Sequence, residues 1–149
     1  MFLNNDLYLN LNLNLNNLNL VPKGHQDTCL EMPYKSFTEM PVWQKAHNLA
    51  VEVFKLTISL PKSEDYGLTS QIRKSSNGVP ACIAEGFGRS TKRDKSNFYI
   101  IARGSSFETQ NHLLYGNKVG YFDSISTDKL FQEYNVLIFE LNKLIKSLD

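Results

Sequence analysis

Cysteine is nearly missing from this chain of 149 residues. Cys29 and Cys82 lie in segments of very different character, so there is no disulfide framework, and a reducing cytoplasm suits the sequence. Charge of one sign is missing too. The formal net charge of +1 implies no polyanionic partner by itself. The charge is uneven, however. Asp6, Lys23, Asp27 and Glu31 give residues 1–32 a net of −2, which leaves +3 for the remainder. No Lys or Arg precedes Lys23 and no continuous apolar run lies near the start, which excludes a secretory signal. Asparagine at every second position of the leucine-rich start excludes a membrane span there. No cofactor motif is present: GFGRS at residues 86–90 lacks the lysine-serine ending of a phosphate loop and comes after a helical pattern, not a strand.

The residues that are present divide in two. In residues 1–33, Leu9, Leu11, Leu13 and Leu15 alternate with asparagines. Period-two alternation is the geometry of a half-buried strand. Asparagine disfavours strands, though, and no second strand signal exists to pair with this one. The segment reads as a low-complexity, disordered tail, upstream sequence translated from a misassigned start with Met32 a natural true start, and Pro22, Gly24 and Pro33 marking the boundary. Residues 34–149 have ordinary globular composition and the length for one domain.

From Met40 onward the apolar period is helical. Ala46, Leu49, Val53, Leu56 and Leu60 recur at spacings of three and four, and Pro61 stops the pattern. Ser63 can cap a second helix carrying Leu68, Ile72, Ser75, Val79, Ile83 and Phe87. A third starts near Thr91 or Asp94 and carries Phe98, Ile101, Ala102, Ser105, Thr109, Leu113 and Gly116. The fourth, capped by Ser126 or Thr127, carries Leu130, Tyr134, Leu137, Leu141, Leu144 and Leu148. Helices over about 40–60, 64–88, 92–120 and 127–148 with short connections predict an all-α, antiparallel up-down-up-down four-helix bundle. Pro80 removes one backbone donor and crowds the Ser76 carbonyl, which predicts a kink near Asn77–Pro80 without splitting the helix. Ala102, Gly104, Ser105 and Ser106 form a small-residue patch, serving close packing within the bundle or a subunit contact.

The chief candidate for function is the basic turn between the second and third helices. Arg89, Lys92, Arg93 and Lys95 lie within seven residues, with Arg73, Lys74 and Arg103 on the adjoining helices. Lysine and arginine of this kind hold phosphate backbones. The competing reading is a solvated turn whose charges keep the protein soluble. Glu85 and Glu108 fall on or beside apolar faces, where Arg73 or Arg103 can partner them. Glu108 and His112 are four apart, but a di-iron bundle needs Glu-x-x-His pairs on two helices, so no metal is expected. His25 and Cys29 alone make no zinc site. Cys82 reads as a structural cysteine, and Trp43 and the tyrosines as core or interface anchors.

Four motifs in order carry a family resemblance: VWQKAHNLAVEVFKLT at residues 42–57, YGLTSQIRKSS at 66–76, VPACIAEGFGR at 79–89 and FYIIARGSSFE at 98–108. Together they resemble the four-helix-bundle proteins encoded in intervening sequences of bacterial 23S ribosomal RNA genes, whose relatives include accessory proteins of diversity-generating retroelements. The family pattern has a large apolar residue near Gly78 and an asparagine where Cys82 stands. The resemblance implies a homopentameric barrel of bundles with a basic surface. It further implies contacts with RNA, DNA or a reverse transcriptase, and no catalytic residues.

Overall fold

A computed structural model describes residues 33–149. The expectations for the tail, His25 and Cys29 lie outside the described residues. Four helices run in order: α1 Pro41–Leu56, α2 Leu68–Phe87, α3 Lys92–Lys118 and α4 Ser124–Lys146. Single 3-10 turns occupy Phe37–Glu39 and Lys62–Glu64, and no strand occurs among the described residues. Each helix packs on the next and α4 returns to α1, while α1 and α3 lie across one diagonal and α2 and α4 across the other. This is the expected up-down four-helix bundle.

The core is the meeting of four apolar stripes. Leu49 and Val53 of α1 and Ile72, Val79 and Ile83 of α2 meet Tyr99 and Leu113 of α3 and Tyr134, Leu137 and Leu141 of α4. Burying each of these large side chains contributes about 1.5–3 kcal/mol relative to exposure, so the stripes dominate the fold's energetics. Before α1, the Phe37 ring meets Trp43 edge-on at 5.1 Å and seats the first 3-10 turn on the bundle.

The helix ends differ from the sequence expectations, each for a local reason. α1 ends at Leu56, before Pro61; just beyond it the Thr57 hydroxyl donates to the Val53 or Phe54 carbonyl at 3.0 and 2.9 Å and accepts from Arg73 Nε at 2.7 Å. Ser63 does not cap α2: it sits inside the 3-10 turn, and Glu64 Oε2 accepts from the Leu68 amide at 3.0 Å instead. α4 is capped by Asp123, which accepts from the Ser126 amide at 2.8 Å, rather than by Ser126 or Thr127. Thr127 is buried and its hydroxyl donates to the Asp123 carbonyl. Thr91 caps α3 as expected. Pro80 lies buried within α2 without dividing it.

The α2–α3 contact is the most extensive in the bundle. A Cβ on Gly86 would stand 2.6 Å from Cε1 of Tyr99, and one on Gly78 would meet the Ser105 hydroxyl at 3.5 Å. The Thr109 and Ser75 hydroxyls share a buried hydrogen bond of 3.0 Å. The small residues of α3 therefore serve mainly the bundle itself: Ala102 and Ser106 are buried and Ser105 faces Gly78, while a Cβ on Gly104 would meet nothing within 4 Å.

Of the expected face of α3, Ala102, Thr109, Leu113 and Gly116 are buried, and the rest is rotated. Tyr99, Ser106 and Gln110 are buried, whereas Ile101 is exposed and Phe98 only partly covered. α3 must serve both α2 and α4, and Gln110 reaches across to the Phe131 carbonyl and Asn135 Oδ1. Its outer side carries Ile100, Phe107 and Leu114 among Asn97, Glu108 and Asn111, so no clean polar face marks the rotation in the sequence.

Tyr99 and Tyr134 are wholly buried, and among the described residues neither hydroxyl has a hydrogen-bond partner. Burial pushes the Tyr99 phenol up to about 12 and that of Tyr134 further still. Both phenols have folded values raised above the unfolded value of about 10, so their contribution is intact below pH 10 and lost as pH rises from about 10 through about 12. Ultraviolet titration of the seven tyrosines will show two that ionise only with loss of helical circular dichroism. Gly86→Ala will destabilise the domain by about 1–3 kcal/mol in urea denaturation, since overpacking against a buried ring outweighs the helix propensity gained by alanine.

Candidate nucleic-acid interface

The basic turn is assembled by two helix ends. α2 stops at Phe87, Gly88 comes next, and the Thr91 hydroxyl accepts from the Asp94 amide at 3.1 Å to open α3. Lys95 is committed to this joint: its Nζ donates to the Phe87 carbonyl at 2.7 Å and lies 5.7 Å from the Phe87 ring centre. A cation on the last carbonyls of a helix satisfies an orphan acceptor and complements the negative end of the dipole. Arg89 is committed too, pairing with Glu85 one turn back and covering the Phe98 ring at 4.4 Å. Lys92 and Arg93 are exposed and have no bonded partner among the described residues. Two of the four cations therefore hold the turn, and two are presented by it.

The three remaining candidates do not join this group. Arg73 lies on α2 fourteen residues before Phe87, which puts it roughly 21 Å from the turn at 1.5 Å per residue. Its Nε is bound to Thr57 and its guanidinium covers the Phe54 ring at 4.4 Å. Lys74 sits exposed beside it, at the far end of α2 from the turn. Arg103, at mid-helix, donates from Nη1 to Asn142 Oδ1 at 2.7 Å and ties α3 to α4.

The acidic pair is placed otherwise than the sequence suggests. Glu85 and Glu108 are exposed, not buried, and neither binds Arg73 or Arg103. Glu85 takes Arg89, four residues on, because helical spacing puts that pair together without crossing helices. Glu108 has only the His112 ring, with Nε2 at 3.7 Å. Glu85 is level with Tyr99, roughly two and a half turns from Glu108, so the two carboxylates do not converge. Among the described residues no three His, Cys, Asp or Glu side chains gather as a metal cluster. The Cys82 thiol is half-buried, and burial and then the nearby Glu85 charge push it up. That is the reverse of what a nucleophilic thiolate needs.

Two surface features escaped the sequence reading. An open groove of about 700 Å³ runs between α1 and α4, lined by Leu49, Leu56 and Leu130 with Lys45, Glu52 and Lys129 at its rim. A row of exposed apolar residues, Ile100, Phe107 and Leu114, runs along the outer side of α3. The row's seven-residue spacing was legible in the sequence.

The model of the 23S rRNA-intervening sequence protein family matches residues 38–143, from the first 3-10 turn to the last turn of α4. The chain belongs to this family. None of the curated proteins matches it. Among solved structures, a protein of unknown function from the S23 ribosomal protein family of Bacteroides thetaiotaomicron VPI-5482 superposes with a TM-score of 0.64. The two are 20% identical over 70% of this chain and 98% of the other, which is a likeness of fold. No described helix is long and apolar enough to cross a membrane.

The division of the turn has a measurable consequence. Lys95→Ala will lower stability by about 0.5–1.5 kcal/mol through loss of the Phe87 contact. Lys92→Ala and Arg93→Ala will stay within about 0.5 kcal/mol of the parent. Urea denaturation monitored by circular dichroism checks both.

Proposed function

We propose that this chain is a non-catalytic, self-associating cytoplasmic bundle protein that holds the phosphate backbone of RNA or DNA through its α2–α3 turn. The observation that carries the reading is the pair Lys92 and Arg93, exposed and unpaired on a turn braced by Arg89 and Lys95. Cations held out in this way can bind phosphates without first breaking an ion pair, and such contacts carry no sequence preference. One turn offers few contacts. A homopentamer, which the family resemblance implies, would repeat the turn around a ring and multiply the local field. Contact with a reverse transcriptase belongs to the same reading as a protein partner near nucleic acid. A second reading is a protein–protein interaction module without nucleic-acid affinity. It is favoured by the commitment of Arg73 and Arg103 to contacts within the bundle and by the apolar outer row of α3.

Lys92→Glu/Arg93→Glu will lose retention on RNA in filter binding, while the parent's affinity falls steeply between about 50 and 200 mM salt. Each lost phosphate contact will reduce the salt slope by about one. Retention unchanged by the charge reversal excludes the turn as the contact. A parent that assembles but binds no RNA or DNA leaves the second reading.

A further inference from the structure

α1 and α4 meet less than any other pair of neighbouring helices, and the groove of about 700 Å³ lies where they part. Its lining runs from Pro41 to Leu56 on α1, roughly 22 Å at 1.5 Å per residue. Leu49, Leu56 and Leu130 form its apolar part. Leu49 and Leu56 are seven residues apart, so they lie two turns apart on one side of α1.

The charges along the groove are ordered. The part-buried Lys45–Glu140 ion pair, 2.8 Å long, crosses from α1 to α4 and fixes their register. The two helices are antiparallel. Seven residues further along each, Glu52 of α1 therefore stands level with Glu133 of α4. One turn beyond, Lys55 of α1 and Lys129 of α4 face each other in the same way. The groove thus crosses a band of two carboxylates and then a band of two ammonium groups. Lys55 takes Glu52 at 2.8 Å. Its hydrogen bond and charge, and more weakly the charge of Lys129, hold the Glu52 carboxyl below the usual carboxylate range. Lys129 and Glu133 are exposed and have no ion-pair partner among the described residues.

These features select an occupant. A phosphate chain or an anionic bilayer would lay its charges on Glu52 and Glu133. A small ligand would leave most of a groove roughly 22 Å long in water. A helix matches both the length and the charge order. Its apolar residues recur at i, i+3 or i+4 and i+7, and flanking side chains one turn apart are about 5–6 Å from each other, as the two bands are.

We propose that the α1/α4 groove receives one amphipathic helix of about 15 residues from a different protein. The apolar stripe of that helix lies on Leu49, Leu56 and Leu130. A lysine or arginine on its flank meets Glu133 and Glu52, and an aspartate or glutamate one turn along meets Lys129 and Lys55. The leucines supply most of the affinity and the charge bands supply selectivity. The interface is small, which makes the complex transient, with a Kd in the micromolar range. The basic turn joins α2 to α3, the two helices that do not line this groove. The proposal therefore stands whether or not the turn holds phosphates.

The test uses the whole chain and a fluorescein-labelled, alanine-based helical peptide of about 15 residues. The peptide carries a leucine stripe, with one lysine and one glutamate a turn apart on each flank. Two companion peptides carry lysine only or glutamate only on the flanks. By fluorescence anisotropy at low salt, the parent will bind the mixed-charge peptide about five- to tenfold more tightly than either companion. Glu52→Lys/Glu133→Lys will make the glutamate-only peptide the tightest of the three. Asn48→Trp, which fills the groove from an exposed position beside Leu49, will weaken the mixed-charge peptide about tenfold or more with unchanged far-ultraviolet circular dichroism. A parent that binds none of the peptides, or all three alike, overturns the proposal. So does a preference that the charge reversal leaves unchanged, or binding that Asn48→Trp leaves intact. A change of mass in Glu52→Lys/Glu133→Lys without peptide, read by light scattering, assigns the groove to another copy of the chain and overturns it too. Lys92→Glu/Arg93→Glu will bind the mixed-charge peptide as the parent does, whatever becomes of its retention on RNA, and loss of the peptide by this variant counts against the groove.

Discussion

The close approach of α2 and α3 is the constraint on which the rest of this molecule depends. Gly86 lets the buried ring of Tyr99 lie against the α2 backbone, and Gly78 faces Ser105 in the same way. The Ser75–Thr109 hydrogen bond sits within this seam. Fixing α3 tightly to α2 sets which of its residues point inward. The connection between the two is short, with only residues 88–91 between α2 and α3. The basic turn, its braced cations and its free ones all derive from that joint.

The same constraint explains the outer surface. A helix held against α2 by small residues and against α4 by Arg103 and Gln110 has its rotation fixed. Ile100, Phe107 and Leu114 are then left facing solvent. Across the bundle, α1 leaves Val51, Phe54 and Ile58 exposed beside α2.

Charge placement carries a similar lesson. Seven cations that look like one group in the sequence divide into four roles. Lys95 and Arg89 close the turn, Arg73 bonds the end of α1, Arg103 links α3 to α4, and Lys74, Lys92 and Arg93 remain free. Glu85 is drawn to Arg89 by helical spacing, and Glu108 is left in water.

The sequence by itself determined the four helices, their order and most of the core, because apolar spacing of three and four residues reports burial along a helix. It determined the family as well, through motifs that span residues 42–108 and a family match over 38–143. Helix ends at Thr57, Glu64 and Asp123 were less legible, since several capping side chains compete within a few residues and the winner depends on which backbone amide it can reach. The rotation of α3 and the partners of Arg73, Arg103, Glu85 and Glu108 were decided only by the tertiary structure. Periodicity cannot choose between two apolar sides of one helix. A charged side chain's partner is set by what stands across the groove, which is a fact about three dimensions.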